Sequence, residues 1–157
     1  MILTNRLVIR SLEERDYSSF LEVQTDEQAR KYLGGVVNEE KVKTKFAKML
    51  CDTTSNYFVV TKNSEVIGII TIGKHVDDKS SELSYQFIPR FWGKGYALES
   101  IQAILKLIKD EYCVHSVIAE TQSANEKSIS LLLKLGMVLE KEVVRFSENQ
   151  SIYRLNL

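Results

Sequence analysis

The stretch Pro89-Arg90-Phe91-Trp92-Gly93-Lys94-Gly95-Tyr96-Ala97 decides how the rest of the chain is read. Before it, Ser81 to Ile88 alternates, with Leu83, Tyr85 and Phe87 against Glu82, Ser84 and Gln86, the period of a strand. Pro89, the only proline, ends that strand. After it, Ala97, Ile101, Ile104, Leu105 and Ile108 recur at helical spacing, which predicts a helix from about Tyr96 to Asp110. Glycines between a strand and a helix N-terminus let the backbone turn sharply and come close to a ligand. The free N–H groups of the first helical turn, with the helix dipole, suit an anion such as a pyrophosphate. Gly-x-Gly before a helix also fits an ordinary tight turn, and Trp92 fits a core anchor.

Working outward, Val114 to Thr121 reads as the next strand, so that 81–121 forms a right-handed parallel crossover. Asn125 to Leu135 reads as a helix with Ile129, Leu132 and Leu133 inward, and Met137–Val144 with Ser151–Leu157 as a closing hairpin. Upstream, Val66 to Ile72 is nearly all apolar and suits a strand buried on both faces, paired with Tyr57–Thr61 through a turn at 62–65. Another turn is expected at Asp77-Asp78-Lys79-Ser80. Ile2 to Arg10 reads as one first strand, with Leu7 and Ile9 on one side. Ser11 to Glu14 fits a capping box for a helix to about Gln24, with Tyr17, Phe20 and Leu21 on one face. Asp26 caps a short helix ending at Gly34-Gly35, and Asn38 caps a third, with Val42, Phe46, Met49 and Leu50 inward and a lysine-rich solvated face. The result is one α+β domain over residues 1–157, a mixed, mostly antiparallel central sheet flanked by helices.

Composition narrows the function. Lys plus Arg and Asp plus Glu are 21 each, so nothing global points to nucleic acid. Cys51 and Cys113 form no C-x-x-C motif and read as reduced core residues. No apolar run of about 20 residues is present, and no signal peptide, which favours the cytoplasm and no membrane partner. His75 and His115 look isolated, with no ligand spacing around them, so no metal is expected.

Trp92-Gly93-Lys94-Gly95-Tyr96-Ala97, followed by Glu99, resembles the acetyl-CoA loop of the GNAT superfamily of N-acetyltransferases. Trp92 stands where the general pattern has Gln or Arg, a departure that resembles the RimJ/RimL-like branch. Asn125-Glu126-Lys127-Ser128 with Leu135-Gly136-Met137, and the opening Thr4 to Arg10, resemble further segments of that branch. The resemblance implies acetyl-CoA as cosubstrate, held between the strands 81–88 and 114–121. It places the thioester carbonyl at the backbone N–H of Phe87 or Ile88. The pyrophosphate goes to the loop of Trp92, Gly93, Lys94, Gly95, Tyr96 and Ala97, and Asn125 goes to the pantetheine or adenylate.

The reaction it implies is attack by a primary amine, of a protein N-terminus or a small molecule, in a ternary complex. Glu82 is the first candidate base and Glu120 the second. Ser128 is a candidate donor to the leaving thiolate, and Tyr153 another. Each has a plainer reading: an exposed strand carboxylate, a helix cap at Asn125 or Ser128, a core tyrosine. A non-catalytic acetyl-CoA-binding sensor shares the same loop. Monomer and homodimer are both compatible with a C-terminal hairpin that pairs across a dimer in many relatives.

Overall fold

Two short strands, not one, begin the chain. In the computed structural model, which describes every residue but Asp78, Ile2–Leu3 (β1) pairs antiparallel with Val8–Ser11 (β2), Ile2 opposite Ile9. The single strand expected over Ile2–Arg10 is broken because the chain reverses at 4–7. Thr4 N–H donates to Leu7 C=O at 3.0 Å and Leu7 N–H to Thr4 Oγ1 at 3.0 Å. Leu7 and Ile9 are buried as the pattern predicts. Ser11 is the last residue of β2 and caps nothing. The helical entry is instead a 3-10 turn, Glu14–Asp16, in which the buried Asp16 carboxylate accepts from Glu13 N–H at 2.9 Å and from both Arg10 terminal nitrogens at 2.7 Å.

Three helices follow: Tyr17–Thr25 (α1), Glu27–Arg30 (α2) and Glu39–Cys51 (α3). Asp26 and Asn38 cap the last two as expected, accepting from Ala29 N–H at 2.7 Å and Lys41 N–H at 2.9 Å. The remaining elements are Asn56–Lys62 (β3), Glu65–Lys74 (β4), Ser81–Phe87 (β5), Tyr96–Tyr112 (α4), Ser116–Gln122 (β6), Glu126–Lys134 (α5), Val138–Arg145 (β7) and Glu148–Asn156 (β8). The sheet order is β1-β2-β3-β4-β5-β6-β8-β7, antiparallel throughout except between β5 and β6. This is the expected mixed, mostly antiparallel α+β sheet. The turn expected at 77–80 includes Asp78, which lies outside the described residues.

The sheet is covered on both faces. On one, Phe20, Val42, Phe46 and Met49 of α1 and α3 pack on Val59 and Ile69. On the other, α4 and α5 close over Ile70, Leu83, Phe87, Val117, Ala119 and Tyr153. The β4 strand feeds both cores, which is why it is apolar without alternation. Gly68 on β4 has a specific task. A Cβ there would fall 2.3 Å from Phe87 Cδ1, so the glycine seats the Phe87 ring at the end of β5.

Three apolar expectations need correcting. Leu50, expected inward on α3, is exposed, because Val42, Phe46 and Met49 already form the stripe that meets the sheet. Leu133 is exposed, because its place in the core is taken by Leu135 and Met137 beyond the end of α5. Cys51 and Cys113 are free but exposed, since both lie at helix ends: Cys51 closes α3, and Cys113 sits in a left-handed turn (φ 53) after α4.

Candidate active site

The site begins where the parallel pair comes apart. Strands β5 and β6 share one bridge, Glu82 opposite Ile118, and then diverge. Ladder alternation shows what faces the gap. Ile88 N–H donates to Ile67 C=O at 3.0 Å, so even-numbered backbone groups of β5 point to β4 and odd-numbered ones away from it. Ile88 N–H, one of the two expected partners of a thioester carbonyl, is therefore already taken. The N–H groups of Tyr85 and Phe87 turn into the opening. Phe87 C=O, on the same side, accepts from Trp92 Nε1 at 2.8 Å.

Directly after β5 the chain makes a 3-10 turn, Pro89–Phe91, closed by Phe91 N–H on Ile88 C=O and Trp92 N–H on Pro89 C=O, both at 3.0 Å. Gly93 (φ 73) and Gly95 (φ 79) then take the left-handed conformation, and Gly95 is the N-cap of α4. Glu99 N–H is the first to bond back along the helix, to Gly95 C=O at 3.1 Å. The N–H groups of Tyr96, Ala97 and Leu98 therefore precede any intrahelical acceptor.

A clamp that sequence reading did not assign holds this loop. Arg6 Nη1 donates to Lys94 C=O at 3.0 Å and Arg6 Nε to Glu99 Oε2 at 2.7 Å, while Thr4 Oγ1 donates to Glu99 Oε1 at 2.6 Å. The Arg6 guanidinium also lies 4.7 Å from the Tyr96 ring centroid. Lys94 donates to Arg90 C=O at 2.9 Å, and Lys127 Nζ lies 5.0 Å from the Trp92 ring centroid. Free N–H groups, a helix N-terminus and these cations together suit an anionic group such as a diphosphate. Trp92 itself packs against the core, which supports its role as an anchor.

The two faces of β5 carry different chemistry. Toward α4 and α5, Tyr85 Oη lies 2.8 Å from Ser128 Oγ, across the opening. Burial pushes the Tyr85 phenol up to about 12, against a smaller opposite pull from Ser128. Asn125 caps α5, its carboxamide oxygen accepting from Ser128 N–H at 3.2 Å, so the Ser128 hydroxyl is not the cap. Tyr153 is packed in the main core at 6% exposure, and the tyrosine that meets Ser128 is Tyr85, a residue the sequence reading passed over as a core position.

Toward the opposite face, which α1 reaches through the Gln24 to Gln86 hydrogen bond, lies a titratable cluster. Glu120 Oε2 is 2.8 Å from His75 Nε2, and Glu120 Oε1 accepts from Arg145 Nε at 2.9 Å. Arg145 Nη2 donates to Asp77 Oδ2 at 2.8 Å, and Asp77 N–H reaches His75 Nδ1 at 3.3 Å. His75 is buried and partnered, where its sequence neighbours made it look isolated. Glu82 adjoins this cluster. Burial holds its carboxyl above the usual range; His75 and Arg145 pull it down and Glu120 pushes it up. Among the described residues no group of three or more His, Cys, Asp or Glu side chains is placed to hold a metal ion.

A splayed parallel pair over a glycine-capped helix agrees with the comparison to known families. A family model described as an acetyltransferase (GNAT) domain matches residues 6–138. The chain belongs to the GNAT acetyltransferase family. It is 33% identical over 138 residues to the uncharacterized N-acetyltransferase YnaD of Bacillus subtilis (strain 168), covering 87% of this chain and 81% of the relative. The crystal structure of a GNAT-family acetyltransferase from Bacillus anthracis superposes with a TM-score of 0.85 at 28% identity, over 99% of this chain and 97% of that one. The Vibrio cholerae spermidine N-acetyltransferase, solved with CoA and spermine, shares the fold with a TM-score of 0.84 at 18% identity, over 98% and 96%. This GNAT protein is an acyl-CoA-dependent N-acetyltransferase, and the open amides at Gly93–Leu98 and Phe87 fit acetyl-CoA as its cosubstrate.

Proposed function

We propose that this chain transfers the acetyl group of acetyl-CoA to a primary amine that enters from the α1 side of the sheet, by direct attack while both substrates are bound. The observation that carries the proposal is the single β5–β6 bridge at Glu82, which opens the sheet beside the glycine-capped start of α4. The amides from Gly93 to Ala97 hold the diphosphate, and the carboxamide of Asn125 lies at the start of α5 for the pantetheine arm. Phe87 N–H points to where negative charge develops on the carbonyl oxygen.

The acceptor side requires a base. An amine with a pKa near 10.4 is neutral only about once in 2,500 at pH 7. Glu82 removes its proton; a carboxyl raised by burial is a stronger base than an ordinary one. Glu120 has both oxygens engaged by His75 and Arg145 and serves to hold that cluster in place. Ser128 donates a hydrogen bond to the sulfur as the C–S bond breaks.

The RimJ/RimL-like assignment is part of this proposal and rests on Trp92-Gly93-Lys94-Gly95 and Asn125 with Ser128. Exposed free thiols at Cys51 and Cys113 accord with a cytoplasmic setting. Isothermal titration with acetyl-CoA tests the cradle. Thiol release against peptide N-termini, polyamines and other small amines tests the reaction and names the acceptor. Saturable binding with amine-dependent release is expected; binding with no release over the whole panel would count against the proposed chemistry.

A further inference from the structure

We propose that Tyr85 is a positioning residue: it donates to Ser128 Oγ and so aims the Ser128 proton into the opening between β5 and β6, where the departing sulfur gathers charge. The inference rests on the reading of Ser128 as the thiolate's hydrogen-bond donor. The two hydroxyls lie 2.8 Å apart, one on β5 and the other in the first turn of α5, so the contact spans the opening.

Relative acidity decides which hydroxyl donates. Tyr85 is half-buried, and among the described residues the partner of its hydroxyl is Ser128. A neutral phenol is a stronger hydrogen-bond donor and a weaker acceptor than an aliphatic hydroxyl, because its oxygen lone pair is delocalised into the ring. Tyr85 therefore donates and Ser128 Oγ accepts. The Ser128 backbone N–H is taken by Asn125, and the residue is half-buried, which leaves its own O–H to turn toward the gap.

The proton balance shows what this pair does. Glu82 takes the first proton of the ammonium and passes it to solvent. The neutral nitrogen then forms the C–N bond, the C–S electron pair passes to sulfur, and the second nitrogen proton goes to Glu82 as the amide forms. A thiol has an ordinary pKa of about 8.5, well below that of a phenol held near 12 or of a serine hydroxyl. Neither hydroxyl gives up its proton to the thiolate. The pair acts as a two-link chain, Tyr85 to Ser128 to sulfur, in which each hydrogen bond polarises the next. Water protonates the thiolate after it leaves. Tyr85 also lies two residues before Phe87, so one strand orients both the carbonyl donor and the sulfur donor.

The test is a double-mutant cycle on thiol release at saturating amine, with melting curves for each variant. Tyr85→Phe is expected to lower kcat about tenfold, the scale of one hydrogen bond to a charged centre, and to leave the KM for acetyl-CoA within about twofold. In a Ser128→Ala background the same change is expected to do nothing further. Equal slowing in both backgrounds, or wild-type kcat in Y85F, overturns the proposal. A series of fluorotyrosines at position 85 reads the same point with the ring shape retained. There kcat rises with phenol acidity while the phenol stays protonated, and a flat series overturns the inference. Failure of the underlying reading looks different: the wild-type protein itself then releases no thiol with any amine.

Discussion

The two sides of β5 are assembled in opposite ways. The side proposed to hold acetyl-CoA is mostly backbone: left-handed glycines at 93 and 95, the N–H groups that open α4, and the Phe87 N–H. All of it comes from about twelve consecutive residues. The side proposed to receive the acceptor is made of side chains from separate places: His75 and Asp77 after β4, Glu82 on β5, Glu120 on β6 and Arg145 on β7. A backbone cradle tolerates any side chain that permits its φ angles, whereas a charge cluster depends on each member. Substitutions should therefore separate the two sides cleanly, acetyl-CoA binding on one and rate with its pH dependence on the other.

The largest effect is expected at Gly95. Gly95→Glu places a Cβ at φ 79, 3.3 Å from Arg6 Nη2, and a negative charge beside the diphosphate amides. Acetyl-CoA affinity measured by titration should fall at least about 100-fold. Unchanged affinity would remove the cradle from this loop.

Glu82→Gln comes next, with the opposite signature. Release of thiol should slow about 100-fold below the pH at which the acceptor amine is already neutral, and recover above it, with acetyl-CoA affinity retained. Stability should move the other way. The folded-state pKa of Glu82 is raised, so its ionised form disfavours the fold. That penalty is absent below about pH 4, the unfolded carboxyl range, and sets in as pH rises through the raised value. E82Q should accordingly melt higher than wild type at pH 7 and equal to it at low pH. A uniform fall in rate with no gain in melting temperature would take the base role from Glu82.

Arg145→Ala sharpens the same point more gently. Arg145 pulls the Glu82 carboxyl down, so its loss should move the acid limb of kcat/KM to higher pH while leaving acetyl-CoA binding alone. A pH profile that does not move would separate Glu82 from the cluster. The smallest effect is expected at Arg6→Ala. Loss of its bonds to Lys94 C=O and Glu99 should loosen the loop and weaken acetyl-CoA binding about fivefold, with kcat unchanged. A change in kcat instead would tie the clamp to the chemistry.

How much of this was legible in the sequence follows the same division. The order of strands and helices, the caps at Asp26 and Asn38 and the strand–loop–helix cradle were readable, because each depends on neighbours within a few residues. Around the site, the errors lay where a distant contact overrode local pattern. The strand expected over Ile2–Arg10 folds back at Thr4, whose hydroxyl and the Arg6 side chain reach Glu99 on α4. Tyr85 fitted the inward stripe of its strand, and nothing in that stripe said that its hydroxyl would meet Ser128. His75 looked isolated because Glu120, which meets its Nε2, stands 45 positions away.

By itself, the sequence determined the α+β order and the glycine loop between strand and helix that is proposed to hold acetyl-CoA, since backbone periodicity, capping and glycine conformation are local properties. Only the tertiary structure decided which N–H of β5 faces the gap, which carboxylate is engaged and which tyrosine meets Ser128. Ladder register, burial and charge pairing are relations between segments that the chain brings together only on folding.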